Sequence, residues 1–174
     1  ALVLAGVACR ARATTEQVEG GLAPIYGVEL PAGYRDWRLI SVAHEEGNLN
    51  DLRAILGNDV AFETYRDGKP AFPDGSIIAR LAWDYLHSEE NDSAFARAMK
   101  VSRLDRPQSF VAGVPKNGVQ FMIKDSLKYA STGGWGYAEF DKDGKPAAEA
   151  GLNTCFACHQ AVTARDYVFT RYAP

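Results

Sequence analysis

Hydrophobic and polar residues alternate along several short segments of this chain. Alternation with a period of two indicates β-strands that turn one face toward a core. The pattern predicts six strands, over residues 37–43, 52–56, 76–83, 109–114, 119–124 and 135–140. No segment carries a long helical stripe of apolar residues, so we expect the helices to be few and short.

Turn and cap residues divide these segments. Asn58 is expected to cap a short helix over residues 60–66, which Gly68 closes at its C-terminal end. Residues 115–118, with the sequence Pro-Lys-Asn-Gly, predict a hairpin between two strands. A last helix is expected after Pro146. The pattern therefore predicts one α+β domain, built on a mainly antiparallel β-sheet with a few short helices, the last of them near the C-terminus.

Composition limits the partners of this domain. The 174 residues carry a formal net charge of -3, with 47% hydrophobic and 24% charged residues, which is typical of one soluble globular domain. Lys and Arg are scattered rather than clustered, so nucleic acid is not an expected partner. No window approaches the roughly 18 to 20 apolar residues that span a bilayer.

The N-terminal end differs from the rest of the chain. Residues 1–8 form an apolar run that is too short to span a membrane and is followed by Cys9 and two arginines. The run resembles the end of a secretory signal, with a packed N-terminal helix as the alternative. We expect residues 1–20 to be a signal remnant or tail and residues 21–174 to form the domain. Export to the periplasm is predicted, and a membrane anchor stays open because Cys9 could be free, removed or lipidated.

The segment Cys155-Phe156-Ala157-Cys158-His159 has the spacing of a c-type haem attachment site. Two thiols one helical turn apart reach two vinyl groups on one edge of the macrocycle, and the adjoining imidazole becomes the proximal iron ligand. A buried cysteine pair beside a chance histidine is the alternative. A zinc site would need a second ligand pair, and a thioredoxin-like pair would open a helix early in the chain. We predict one covalent haem c, held by Cys155, Cys158 and His159.

The sequence offers few candidates for a sixth iron ligand. Met99 and Met122 are the only methionines, and packing explains both of them. His44 follows a predicted strand and is a minority distal candidate, with a surface position beside two glutamates as the alternative. His87 is expected in a loop.

Several short segments occur in an order that resembles a known family. They are Tyr34-Arg35-Asp36-Trp37, Asp74-Gly75, Lys124-Asp125-Ser126, the aromatic residues 134–140, the haem segment and residues 168–172. Together they resemble the cytochrome P-460 family, which includes the cytochromes c′-β, over about residues 33–174. The resemblance implies a mainly antiparallel β fold, an exported homodimer and a five-coordinate haem iron with a distal pocket.

The resemblance also assigns individual residues. Arg53 falls on the family's distal arginine, and Glu149 lies loosely at its pocket carboxylate, although an exposed glutamate at a helix start explains Glu149 equally well. Members that oxidise hydroxylamine carry a lysine bonded to the macrocycle, and here the matching position is Arg80. A guanidinium stays protonated and is a poor nucleophile, which argues against hydroxylamine oxidation. Lys69 lies before the turn and is expected in a solvated loop.

The sequence thus predicts an exported c-type haem protein whose five-coordinate iron binds or turns over a small ligand such as nitric oxide. Arg53 and Glu149 are the candidate catalytic residues, and Arg53 and Arg80 are also candidates for cofactor binding. The alternative is a six-coordinate electron-transfer cytochrome, free or in a respiratory assembly, that works with a redox partner protein.

Overall fold

One antiparallel sheet organises the part of the chain that the computed structural model describes, residues 21–102, 105 and 107–173. Within it, five strands lie in the order β1-β2-β3-β4-β5. They are β1 (Arg38–Glu45), β2 (Asp51–Gly57), β3 (Ile77–His87), β4 (Phe110–Lys124) and β5 (Trp135–Phe140). The helices are α1 (Asp59–Arg66), α2 (Glu89–Met99), α3 (Glu149–Leu152) and α4 (Cys155–His159). Short 3₁₀ helices cover Tyr34–Asp36, Ala130–Thr132 and Gln160–Arg165.

The predicted fold class is confirmed: the sheet is antiparallel and the helix with the cysteines lies near the C-terminus. The N-terminal segment, residues 1–20 with Cys9, lies outside the described residues. Among the described helices none is long and apolar enough to cross a membrane.

The predicted hairpin at residues 115–118 is wrong. Both halves of β4 pair with β3, which runs on to His87 instead of ending at Trp83 as predicted. Leu81 of β3 pairs with Val119 of β4, and Trp83 pairs with Pro115. Between these two pairs, β4 therefore contains more residues than β3. The Pro-Gly segment therefore makes a bulge in one long strand. Local turn residues could not reveal this, because the choice depends on a partner strand elsewhere in the chain.

The sequence pattern did not predict helix α2, because the buried residue of this helix is polar. Ser88 caps the helix by accepting a hydrogen bond from the Asn91 N–H. The fully buried residue of α2 is Asp92, which accepts from the Ser109 N–H at 2.6 Å and lies 2.7 Å from Nε2 of His87. His87 is thus the last residue of β3 rather than a loop residue. An apolar stripe was the expected helix signal, and a buried carboxylate does not provide one.

The cap of α1 forms as the sequence predicted. Asn58 accepts hydrogen bonds from the N–H groups of Ala61 and Ile77, both at 3.0 Å, and donates to the carbonyl of Gly75 at 2.8 Å. One side chain therefore begins α1 and ties the helix to the start of β3.

The two faces of the sheet differ. On what we call the packed face, alternate residues of β3, β4 and β5 join apolar residues from the loops and from α3; this core includes Leu81, Val119, Phe121, Ala138, Phe140, Tyr129 and Leu152. On the site face, the intervening residues pack under α1 and the C-terminal segment; this core includes Ile55, Ile78, Met122, Trp135, Tyr137, Phe72 and Val168. The helix with the cysteines borders both cores through Cys155.

Candidate functional site

A cavity of about 470 Å³ opens over the site face, between the sheet, α4 and the C-terminal segment. This volume falls within the range of small-molecule and cofactor sites. Among the residues singled out from the sequence, Arg53, Arg80, Cys155, Cys158 and His159 line the cavity. The fold therefore brings the predicted attachment segment to the same cavity as two arginines from upstream strands.

The His159 imidazole has one nitrogen committed to a backbone contact. Its Nδ1 lies 2.6 Å from the carbonyl oxygen of Tyr167. A carbonyl can only accept, so Nδ1 carries the proton and Nε2 keeps its lone pair in the neutral ring. Burial lowers the pKa of His159, although the bond to Tyr167 opposes that shift. A neutral imidazole held by its other N–H is the usual form of a metal-ligating histidine.

The two thiols lie on α4, one turn apart. Both are free in the described structure; Cys155 is half-buried and Cys158 is exposed. Burial raises the pKa of the Cys155 thiol, and the carboxylate of Glu139 raises it further. The thiols are thus unpaired with each other and accessible for covalent chemistry.

Two guanidinium groups that line the cavity share a single buried carboxylate. Asp51, only 1% exposed, accepts from Nε of Arg53 at 2.8 Å and from Nη2 of Arg80 at 2.5 Å. Burial lowers the pKa of Arg80 and repulsion by Arg53 adds to this, while Asp51 opposes both effects. Arginine stays charged in proteins nonetheless, so Asp51 holds two cations side by side on the site face.

A polar row continues from Arg80 across the sheet. Arg80, Gln120 and Glu139 stand opposite one another in register on β3, β4 and β5. Nη1 of Arg80 donates to the Gln120 amide oxygen at 2.7 Å, and the Gln120 amide nitrogen donates to Glu139 at 2.6 Å. Sequence reasoning missed Gln120, which lines the cavity, and also Asp51 and Glu139, which are hydrogen-bonded to lining residues. The alternation in residues 135–140 was the available signal for Glu139, because it places that carboxylate on the same face as Trp135 and Tyr137.

Two buried polar atoms near the cavity have no hydrogen-bond partner among the described residues: Nη2 of Arg53 and the hydroxyl of Tyr137. Buried polar groups are almost always satisfied, so unpartnered ones beside a cavity indicate that a bound group belongs there. A free imidazole nitrogen, two thiols one turn apart and an apolar wall that includes Ile55, Ile78 and Val168 fit a haem.

Other predicted residues lie elsewhere. His44 lies within β1 opposite Leu52, so it points away from the site face and stacks on Tyr85 with ring centres 4.0 Å apart. Its neighbour Ala43 lines the cavity, because successive residues of a strand point to opposite faces of the sheet. Glu149 is exposed at the start of α3, and neither His44 nor Glu149 is among the described lining residues.

The two methionines separate in the same way. Met122 lines the cavity and is buried in the core of the site face, whereas Met99 is exposed at the end of α2. Of the two, Met122 is the one that lines the same cavity as His159. Lys69 is exposed and lies 3.4 Å from Asp67, as expected for a solvated loop.

An antiparallel sheet with a Cys-X-X-Cys-His helix over a cavity on one face defines a class of β-rich haem-binding proteins. The sequence matches the family model described as Cytochrome P460 over residues 31–170. The chain therefore belongs to the cytochrome P460 family and is a c-type haem protein, which confirms the resemblance seen in its motifs. Among curated proteins, no match to the chain is found.

Proposed function

We propose that this protein carries one haem, covalently attached through Cys155 and Cys158, and uses its cavity to bind a small nitrogen species such as nitric oxide. The observation that carries the proposal is the shared cavity: Arg53, with a free buried donor, and His159, with a free ring nitrogen, line the same space. Export to the periplasm and a homodimer belong to the proposal as well.

Each group at the site has a separate task. A bound haem supplies an iron that takes small diatomic ligands and changes redox state. His159 holds the iron through Nε2, while the Tyr167 carbonyl orients the ring. Arg53 is the donor for the small ligand, because its Nη2 is buried and unpartnered while Asp51 fixes the rest of its guanidinium.

Acid–base support comes from the polar row in this proposal. Glu139 is the carboxylate at its end, and its charge acts on Cys155, a cavity residue. We propose Glu139 in the role that the sequence suggested for Glu149. Arg80 donates to Gln120 and Gln120 donates to Glu139, so these hydrogen bonds hold the Glu139 carboxylate in place as the group that takes up or releases a proton.

The proposal includes an unmodified macrocycle. Arg80 is held by Asp51 and Gln120 and remains protonated, so it is not a nucleophile. The intact mass is expected to equal the chain plus one haem, and acid–acetone extraction should leave the haem on the protein. A haem-bearing tryptic peptide from residues 76–83, or a Lys69 peptide joined to the haem, would contradict this part.

An optical spectrum of the ferrous protein, with and without carbon monoxide, tests the proposed ligand binding. We expect a high-spin spectrum that changes on addition of carbon monoxide, because an open sixth position is what a gas ligand needs. A spectrum that is low-spin in both redox states and indifferent to carbon monoxide would instead indicate the six-coordinate electron-transfer cytochrome.

Met122 gives the alternative a specific test, since it is the methionine that lines the cavity. If the wild-type iron is low-spin, conversion to high spin in Met122→Leu identifies the sixth ligand. His44→Ala is the matched control, because His44 faces away from the cavity and its loss should leave the spectrum unchanged.

A further inference from the structure

The acceptor of the His159 hydrogen bond lies in a segment with unusual backbone geometry. Asp166 and Tyr167 follow the last 3₁₀ helix with φ angles of 51° and 64°, in the left-handed region that side chains other than glycine rarely adopt. Two consecutive residues of this kind persist only where surrounding contacts determine their conformation. The carbonyl that faces His159 Nδ1 is therefore held from outside its own segment.

A buried ion pair provides one of these contacts. Nζ of Lys124, at the end of β4, lies 2.7 Å from Oδ1 of Asp166, and the two side chains are only 10% and 12% exposed. The same Nζ donates to the carbonyl of Gly133 at 3.1 Å and lies 4.9 Å from the centre of the Trp135 ring. Lys124 therefore anchors the C-terminal segment to the site face of the sheet.

Asp166 is fixed on its other sides too. Its Oδ2 accepts from the Phe72 N–H at 2.8 Å, and its backbone carbonyl accepts from the Trp135 indole at 2.9 Å. The adjacent residue, Tyr167, is the one that accepts from His159. Contacts from three separate parts of the chain thus converge one residue away from the histidine's acceptor.

The loop before β5 is shaped to admit this arrangement. Gly133 has a φ of 69°, and a Cβ there would overlap the ring of Tyr167. A Cβ at Gly134 would press on the end of the Lys124 side chain. The two glycines leave room for the tyrosine ring and for the lysine that reaches Asp166.

We propose that Lys124 and Asp166 are positioning residues for the proximal histidine, because their ion pair holds the Tyr167 carbonyl against the Nδ1–H of His159. The inference rests on the proposed function only in taking His159 as the iron ligand. A carbonyl acceptor on Nδ1 raises the basicity of the imidazole. Loss of that acceptor weakens electron donation to the iron, which favours the ferrous state.

The experiment compares the wild-type holoprotein with Lys124→Met and with the double variant Lys124→Met and Asp166→Asn. The readouts are the iron–histidine stretching frequency of the ferrous protein and the ferric/ferrous midpoint potential. We expect the stretch to move to lower frequency and the potential to rise in both variants. The double variant has the same net charge as the wild type. A change in its midpoint potential therefore reports the hydrogen bond between His159 and the Tyr167 carbonyl, and not the removal of a charge.

Lys142→Met is the matched control, because Lys142 makes the same kind of ion pair with Asp143 but its side chain is 80% exposed. It should leave the frequency and the potential at their wild-type values. If Lys124→Met does not accumulate as a folded holoprotein, since it leaves the Asp166 carboxylate buried without its cation, the double variant decides the question.

A folded double variant with wild-type frequency and potential would overturn the positioning role and leave an ion pair that only stabilises the fold. A different result would overturn the proposed function: a wild-type ferrous protein that is five-coordinate but has no iron–histidine stretching band. If the wild-type iron is six-coordinate, the midpoint potential remains the readout of the positioning role.

Discussion

The two faces of the sheet are made by alternate residues of the same strands, yet one is an apolar core and the other holds a cavity beside a network of charged and amide groups. On the packed face, Phe121 makes edge-to-face contacts with Tyr34 and Phe140, at 5.2 and 6.0 Å between ring centres. One step along β4, Gln120 is hydrogen-bonded between Arg80 and Glu139. A single period-two pattern therefore encodes both a scaffold and a site.

Different forces hold the two faces in place. Burial of apolar area stabilises the packed face, and its contribution scales with the area buried and has no preferred direction. The site face holds charges that burial alone would destabilise, so each must keep a partner. The rigid packed face fixes the strand positions that bring those partners into register.

The largest effect is expected on the packed face. Phe121 is only 2% exposed, so Phe121→Ala should lower the free energy of unfolding by about 3–5 kcal/mol, through lost burial and an unfilled cavity. Urea unfolding of the holoprotein measures this. Phe95→Ala is the control, because Phe95 on α2 is 48% exposed and should change stability by about 0.5 kcal/mol or less. Equal effects in both variants would contradict the distinction between core and surface.

The second prediction concerns the carboxylate of the site face. Asp51→Asn leaves Arg53 and Arg80 without their shared anion and should cost about 2–3 kcal/mol. This is less than the loss of an isolated buried pair, because Gln120 and Glu45 still contact the two arginines. The unfolding midpoint measures the cost, and Asp143→Asn, at an exposed pair, should leave it unchanged. An unchanged midpoint in Asp51→Asn would show that the two arginines do not need this carboxylate.

The third prediction separates ligand binding from stability. Arg53→Ala should speed nitric oxide loss from the ferrous protein about ten- to a hundred-fold, since hydrogen bonds to charged donors contribute about 1.5–3 kcal/mol. Stopped-flow dissociation kinetics measure this rate. Arg66→Ala removes an exposed guanidinium at the end of α1 and should leave the rate at its wild-type value. Identical rates in wild type and Arg53→Ala would remove Arg53 from the ligand site.

The smallest effect distinguishes two glutamates. Glu139→Gln keeps a hydrogen-bonding side chain next to Gln120 but loses the charge, so the nitric oxide dissociation rate should change about two- to five-fold. Glu149→Gln should leave the rate unchanged, because Glu149 is exposed on α3. The reverse result would assign the carboxylate role to Glu149, as the family resemblance first suggested.

Local patterns determined a good part of this protein in advance. Alternation located the strands, Asn58 began α1, and the spacing of Cys155, Cys158 and His159 indicated the haem segment. Each of these features depends on residues within a few positions of one another, where periodicity and capping rules apply. The same rules failed at residues 115–118, where a turn sequence became a bulge because β3 continued alongside it.

Only the tertiary structure decided which charges meet. Asp51 binds Arg80 from 29 positions away, and Lys124 reaches Asp166 from 42 positions away. Nothing in the neighbouring residues distinguishes these side chains from ordinary charged residues on a solvated strand. Their partners are chosen when strands pair and the C-terminal segment folds over the site face, because a buried charge is stable only where distant parts of the chain bring it a counter-charge.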